Sequence, residues 1–145
     1  MKKFVFQLET LYKLKKNQKE TYQNEYAVAE SVFVKAYQIK ERLEESIEAE
    51  SLKYEATAKD GMTVCEMRIL AVFLDDLQKR HELAAAEAEH ARQTAERKHQ
   101  ALIHTYKEVK SLEKLREKQY EEYLIQEEKR ANSGIEDLIS FRACL

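Results

Sequence analysis

The four histidines of this chain, at positions 81, 90, 99 and 104, are its most plausible metal ligands. Two histidines that bind one zinc ion from the same helix face lie about three or four residues apart. The closest pair, His99 and His104, is five residues apart, so the spacing predicts no metal site. His81 falls instead on a predicted row of helix contacts, where a polar residue can fix the register of the two helices.

The carboxylates, thiols and glycines give no catalytic signal either. Glu44 and Glu45 are adjacent on a helical pattern, so their side chains point apart and remain solvated. Cys65 and Cys144 lack CxxC spacing, and we expect both to be reduced thiols without a metal or redox role. Two glycines in the whole chain cannot build a phosphate-binding loop. We therefore expect no cofactor and no enzyme activity.

The composition indicates one elongated all-α domain. The chain has 145 residues, no proline and 36% charged residues. Its 25 Lys and Arg nearly balance 27 Asp and Glu, which argues against a dedicated nucleic-acid binder. Residues 1–20 hold six lysines and two glutamates, whereas residues 41–60 hold seven acids and three bases, so the two ends can attract different partners. We find no segment apolar enough to span a bilayer and no signal peptide, so we expect a cytosolic protein.

Two heptad repeats predict the positions that hold the helices together. The first runs through positions 4–50, and nine of its fourteen positions are apolar. Those nine are Phe4, Leu8, Leu11, Tyr22, Ala29, Val32, Ala36, Ile39 and Leu43. The second runs through positions 67–126 and has twelve apolar positions of eighteen. A period of 3.5 residues is typical of a coiled-coil seam. The middle of this seam consists mostly of alanines, so we expect it to bury less apolar area there than leucines would.

Local signals predict a long antiparallel two-helix coiled-coil hairpin forming a single domain over residues 1–145. Helix one is expected at about 3–58, a turn at 59–62, helix two at about 63–131 and a tail at 132–145. Gly61 can adopt a left-handed conformation in the turn. Thr63 and Glu66 form a capping-box pattern at the start of helix two, and Asn132-Ser133-Gly134 predicts its end.

Apolar residues off the seam are candidates for partner contact. Ile69, Val72 and the flanking Phe73 are placed on the outer face of helix two, where a two-helix hairpin has nothing to cover them. A homo-oligomer contact is the alternative explanation for this stripe. Near the chain ends, Phe6 and Tyr12 also lie off the predicted seam, and the tail contains further apolar residues. There, partner binding and mutual capping of these side chains are both open.

Four segments of the chain occur in the same order, with similar spacing, as in one known family. They are residues 4–11 (FVFQLETL), 61–68 (GMTVCEMR) followed by Phe73 and Leu77, 109–120 (VKSLEKLREKQY) and 135–138 (IEDL). They resemble FliJ, the small soluble protein of the bacterial flagellar export apparatus. The segment 61–68 is the most specific and is similar to the Gram-positive members.

The resemblance implies a non-catalytic stalk similar to the gamma stalk of rotary ATPases. It further implies binding to the export ATPase ring, promotion of its hexamer, contact with the export gate protein FlhA and escort of export chaperones. The chain would then be a cytoplasmic monomer, peripheral at the membrane only through the export apparatus. By this analogy, the candidate contacts with the ring at the open end are Phe4, Phe6, Leu8, Leu11, Tyr12, Leu138 and Phe141. The candidate contacts with the gate or chaperones near the turn are Leu43, Ile47, Ile69, Val72, Phe73 and Leu77.

Two other interpretations remain. The chain is a structural coiled-coil scaffold or homodimer whose outer stripe is the self-interface, or it is the equivalent stalk of a virulence type III secretion system.

Overall fold

The computed structural model describes residues 2–145, and within them it contains two α-helices and no strand. Helix α1 spans Glu9–Asp60 and helix α2 spans Val64–Cys144. The two helices pack against each other as an antiparallel hairpin, which confirms the predicted fold class. Helix-favouring residues and the absence of proline explain why so few breaks occur.

The turn between the helices forms as the local sequence predicts. Gly61 has a φ of 97°, a conformation that side-chain-bearing residues rarely adopt. The Thr63 backbone N–H donates to the Glu66 carboxylate at 3.1 Å, and the Glu66 N–H donates to the Thr63 hydroxyl at 3.2 Å. These two bonds are the reciprocal capping box, which satisfies N–H groups that lack partners at a helix start.

Helix α1 begins at Glu9, later than the predicted residue 3. The preceding residues 2–6 are not helical, and the Glu9 N–H donates to the Phe6 carbonyl at 3.1 Å. In extended backbone, residues two apart project to the same side. Phe4 and Phe6 are related in this way, and both pack against α2. This packing outweighs the helix propensity of the segment.

Helix α2 does not end at Asn132-Ser133-Gly134, where we predicted a stop, but continues to Cys144. Gly134 does not adopt the positive φ of a helix-ending glycine. A helical glycine costs only about 1 kcal/mol relative to alanine, and no proline follows to block the helix. The predicted tail is therefore part of α2.

The structure divides into two compact units. The terminal unit contains residues 2–21 and 102–145, and the turn unit contains Tyr22–Ala101. The terminal unit has an aromatic and aliphatic core of Phe6, Tyr12 and Val109, against which Phe4 and Leu112 pack.

The turn unit has a core of small side chains. Its buried apolar residues are Ala29, Leu77, Ala84, Ala88, Ala91 and Ala95. Short side chains bring neighbouring helix backbones close but bury little apolar area per residue. The alanine-rich seam predicted on α2 is thus confirmed.

Polar contacts between the helices define the register within each unit. In the terminal unit, Tyr12 contacts Glu113 at 3.3 Å and Glu9 contacts Arg116 at 3.8 Å. In the turn unit, Glu25 contacts Lys98 at 3.1 Å, as part of the same antiparallel pattern. Nearer the chain start, the ring of Phe4 contacts Tyr120 and Tyr123.

The predicted seam of α1 consists of two columns, each a series of positions seven residues apart, and one of the two is correct. The column containing Ala29, Ala36 and Leu43 is buried or half-buried, as expected. In the other column, Val32 and Ile39 are about half exposed, and they were wrongly placed on the seam. The positions that follow this second column by one residue are the ones that lie closer to α2. The actual seam positions are therefore Tyr12, Lys19, Tyr26, Phe33, Lys40, Ile47 and Tyr54. A 3.5-residue period does not fix which neighbouring column faces the partner helix, and here aromatic rings occupy four of the seven positions that do.

Candidate partner-binding surfaces

The turn unit exposes an apolar stripe, the turn-side surface, consisting of Ile69, Val72 and Phe73. Val72 is 70% exposed, although its side chain has no polar atom. Three- and four-residue spacing places Ile69 beside Val72 and Phe73 on one side of α2. The prediction that this stripe lies outside the helix seam is correct at each of the three positions.

The other three candidates near the turn belong to the helix contact instead of the stripe. Leu77 is only 7% exposed. Leu43 and Ile47 are half-buried on α1, at seam positions. Their accessible area is therefore small, and their main contribution in the free protein is packing.

The terminal unit places Phe6 and Tyr12 inside its core. Phe6 is 5% and Tyr12 8% exposed, so their prediction as off-seam residues is wrong. Phe6 is buried because it precedes α1 and therefore does not follow the heptad count. Tyr12 is buried because the seam runs through position 12 and not through position 11. Phe4 is half-buried, with its ring centroid 5.2 Å from that of Tyr120.

The remaining terminal-unit candidates are accessible. Leu8 immediately precedes α1 and Leu11 lies in its first turn, and each is a little over one third exposed. Leu138 and Phe141 lie near the end of α2 and are exposed over more than half of their surface. Leu138 and Phe141 are three residues apart and so share a face of α2. The exposed Leu14 lies on the same face of α1 as Leu11 and was missed, although its three-residue distance from Leu11 could have indicated it.

Charged side chains flank this core. Lys15 forms an ion pair with Glu108, and His104 contacts the same carboxylate at 2.6 Å. The hydrogen bond from Lys15 is the main reason that the pKa of Glu108 lies below its ordinary value of 4.5. The Lys16 and Lys19 ammonium groups lie over the rings of Tyr12 and Tyr106, at 5.2 and 5.1 Å from the centroids. These are cation–π contacts at a partly solvated surface.

His81 lies on the seam of the turn unit, as predicted. Its Nε2 is 2.9 Å from the Glu44 carboxylate across the helix interface, and this contact is the main reason that the pKa of Glu44 is lowered. Within residues 2–145, no group of three or more His, Cys, Asp or Glu side chains is placed to hold a metal ion. None of the helices in the same range is long and apolar enough to cross a membrane.

An apolar groove of about 970 Å³ along the turn unit was not anticipated. Its exposed lining residues include Val28, Val32 and Leu83. The sequence contains a usable signal for it, because Val28 and Val32, four residues apart, make the apolar face of α1 wider than a two-helix seam requires. The heptad repeat placed Val32 on the seam and did not include Val28.

The fold and its exposed side chains define the class of antiparallel two-helix coiled coils with apolar surface stripes. The family model described as Flagellar FliJ protein matches residues 3–132, and the chain belongs to the FliJ family. It is a coiled-coil protein related to flagellar export. No curated protein and no solved structure gives a significant match to the chain.

Proposed function

We propose that this chain is a non-catalytic stalk that binds the export ATPase ring, promotes its assembly and activity, and connects it to the export gate protein FlhA and to export chaperones. Membership of the FliJ family supports an export role. The observation that carries the finer proposal is the presence of separate exposed apolar residues in each unit, Leu138 and Phe141 in one and Val72 and Phe73 in the other.

In this proposal the terminal unit contacts the ATPase ring. Leu8, Leu11, Leu138 and Phe141 are its accessible apolar residues among the candidates. Phe4, Phe6 and Tyr12 act indirectly, by holding the N-terminal segment against α2. Lysines predominate over acids in residues 1–20, which favours an acidic surface on the partner.

The turn-side surface is assigned to the gate or a chaperone. Ile69, Val72 and Phe73 provide the exposed apolar contact, and Leu43, Ile47 and Leu77 support the helix beneath it. The protein is proposed to be a cytoplasmic monomer that reaches the membrane face only through the export apparatus.

The decisive experiment measures the ATPase rate and the hexamer fraction of the cognate export ATPase, with and without this protein. We expect stimulation by the wild type and its loss with the double variant Leu138→Asp and Phe141→Asp. Leu52→Asp is the matched control, because Leu52 is a similarly exposed leucine in the turn unit. An active ATPase whose rate and assembly do not respond to the wild-type protein would contradict the stalk proposal.

The gate assignment is tested by the double variant Val72→Ser and Phe73→Ala. We expect loss of binding to the purified cytoplasmic part of FlhA, with unchanged helicity and melting temperature. Val34→Ser, at another exposed valine of the turn unit, is the control. A large loss of stability would instead mean that these residues are structural.

A homodimeric scaffold is the second candidate, because the same exposed stripe is suited to self-association. Sedimentation velocity over a range of protein concentrations distinguishes the two. A tight dimer that dissociates when Ile69 and Val72 are changed to Ser supports the scaffold, whereas a concentration-independent monomer supports the stalk.

A further inference from the structure

The apolar groove of the turn unit is distinct from the surfaces assigned above. Ala29, Ala36 and Ala91 are among its inner lining residues, and Val28, Val32 and Leu83 among its outer ones. Val32 is 53% and Leu83 68% exposed. Short side chains inside and larger aliphatic ones outside produce a trough that follows the helix axes.

The width of the apolar face of α1 indicates what shape fits this trough. One column of α1, containing Ala29 and Ala36, and a second, containing Phe33, already face α2. Val28 and Val32, four residues apart, widen this apolar face by a row that no part of the turn unit covers. A helix that packs against two others inserts its side chains between theirs, and each of the two then needs a wider apolar face than a two-helix seam does. The uncovered row of Val28 and Val32 is therefore suited to contact with a third helix.

Helix periodicity places three cations next to the residues that line the groove. Lys35 and Arg42 follow the lining residue Val28 at seven-residue steps, and Arg97 follows the lining residue His90 by seven, so we infer that these cations form a rim beside the groove. Lys35 and Arg97 have no acidic residue three or four positions away on their own helices. All three cations are exposed.

Two acidic residues, Glu25 and Glu87, line the groove itself. Glu25 is already paired with Lys98 at 3.1 Å, which leaves Glu87 beside His90 on the α2 side. The turn unit as a whole holds sixteen acids and eleven bases, so a cationic rim is contrary to its average charge. A partner with carboxylates on both flanks of its apolar face would complement this rim.

We propose that this groove binds one amphipathic α-helix of a partner protein, with an apolar face directed at Val28, Val32 and Leu83 and with acidic residues on its flanks. The bound form is a local three-helix arrangement. This site is independent of the proposed contacts with the ATPase ring and the gate, since it shares no residue with them.

The test uses two synthetic three-heptad peptides that have leucine at the a and d positions. One peptide has glutamate and the other lysine at the e and g positions, so like charges keep each from pairing with itself. Fluorescence anisotropy with the full chain is expected to detect binding of the acidic peptide. The lysine peptide is expected to bind at least about ten-fold more weakly, because the cations on the rim repel it.

The variants locate the binding in the groove. Val32→Asp and Leu83→Asp, made together, are expected to weaken binding of the acidic peptide by at least about ten-fold, because the new carboxylates replace apolar contact. Leu52→Asp is the matched control and should bind like the wild type. Circular dichroism should give the same helicity for all three proteins, since every altered residue is exposed.

Three results would overturn the proposal. They are no binding of the acidic peptide at about millimolar concentration, equal binding of both peptides, and equal binding by the groove variant and the wild type. Sedimentation provides a separate check. A wild-type dimer that is lost in the groove variant would show that a second copy of the chain occupies the groove, which also contradicts the proposal.

Discussion

The ring of Phe4 packs edge to face against the ring of Tyr120, with 5.2 Å between their centroids. This contact fixes the non-helical N-terminal segment to α2, and the buried Phe6 continues it. Two of the candidate ring-binding residues therefore stabilise the terminal unit before any partner arrives. Aromatic pairs of this geometry add to the gain from area burial alone.

Phe6→Ala should destabilise the protein by about 3 kcal/mol, because it removes a ring from a small core and leaves a cavity. Urea unfolding followed by circular dichroism measures the change. Phe141→Ala is the matched control, since Phe141 is exposed, and it should change stability by less than about 0.5 kcal/mol. Equal effects of the two substitutions would mean that Phe6 is not part of the core.

The sequence was sufficient to predict the hairpin, because helix propensity, capping and heptad periodicity all agree over long stretches. The roles of Gly61, Thr63 and Glu66 were predicted correctly because these residues act locally, although α1 continues to Asp60 and not only to the predicted residue 58. The burial of Phe6 could not be predicted in this way. It depends on a long-range contact with α2 that overrides the helical preference of residues 3–8.

Position 39 and position 47 of α1 distinguish the actual seam from the predicted one. Both are isoleucines, but Ile39 is half exposed and Ile47 faces α2. Ile47→Asp should therefore cost about 1–3 kcal/mol more than Ile39→Asp, because only the first places a carboxylate against α2. Thermal and urea unfolding of the two variants give the comparison. A larger loss of stability from Ile39→Asp would mean that Ile39 lies on the seam, as periodicity predicted.

Substituting alanine for the two glycines should change stability in opposite directions. Gly61→Ala should destabilise the hairpin by about 1–2 kcal/mol, because a φ of 97° is unfavourable for alanine. Gly134→Ala should stabilise α2 by up to about 1 kcal/mol, because Gly134 is helical and an added Cβ meets no atom within 4 Å. Melting temperature and helicity report both effects. A gain from Gly61→Ala would contradict the left-handed turn.

The end of α2 illustrates a limit of local signals. Asn132, Ser133 and Gly134 are each weak helix formers, and together they are typical of a stop. Each has a small cost, however, and a helix already formed on the N-terminal side propagates through them. Weak helix formers alone do not determine whether a helix ends at such a segment, whereas a proline would have ended it.

The capping box at the turn should contribute measurably to stability. Thr63→Ala removes the acceptor of the Glu66 N–H and should cost about 1 kcal/mol, whereas Thr63→Ser keeps the hydroxyl and should cost less. Amide hydrogen exchange at residues 64–67 provides the local measurement, since these amides should exchange faster in the alanine variant alone. Equal exchange in both variants would mean that the hydroxyl does not cap α2.

The Lys15–Glu108 ion pair predicts how stability depends on pH. Because Lys15, and to a smaller extent His104, hold the pKa of Glu108 below 4.5 in the folded protein, the ionised carboxylate stabilises the fold at neutral pH. That contribution is complete above the unfolded pKa and is lost as pH falls through the lowered folded value. Glu108→Gln should therefore melt at a lower temperature than the wild type at pH 7, and the difference should shrink below about pH 4.5.

Two controls separate this effect from other titrations. Glu121→Gln alters an exposed glutamate of the same helix and should give a smaller difference at pH 7. Repeating the pair of measurements in a His104→Gln background removes the imidazole that also contacts Glu108. A melting difference between the wild type and the Glu108→Gln variant that stays constant from pH 7 to pH 3 would show that the carboxylate contributes through packing and not through its charge. High salt should reduce the difference at pH 7, because both partners are partly exposed.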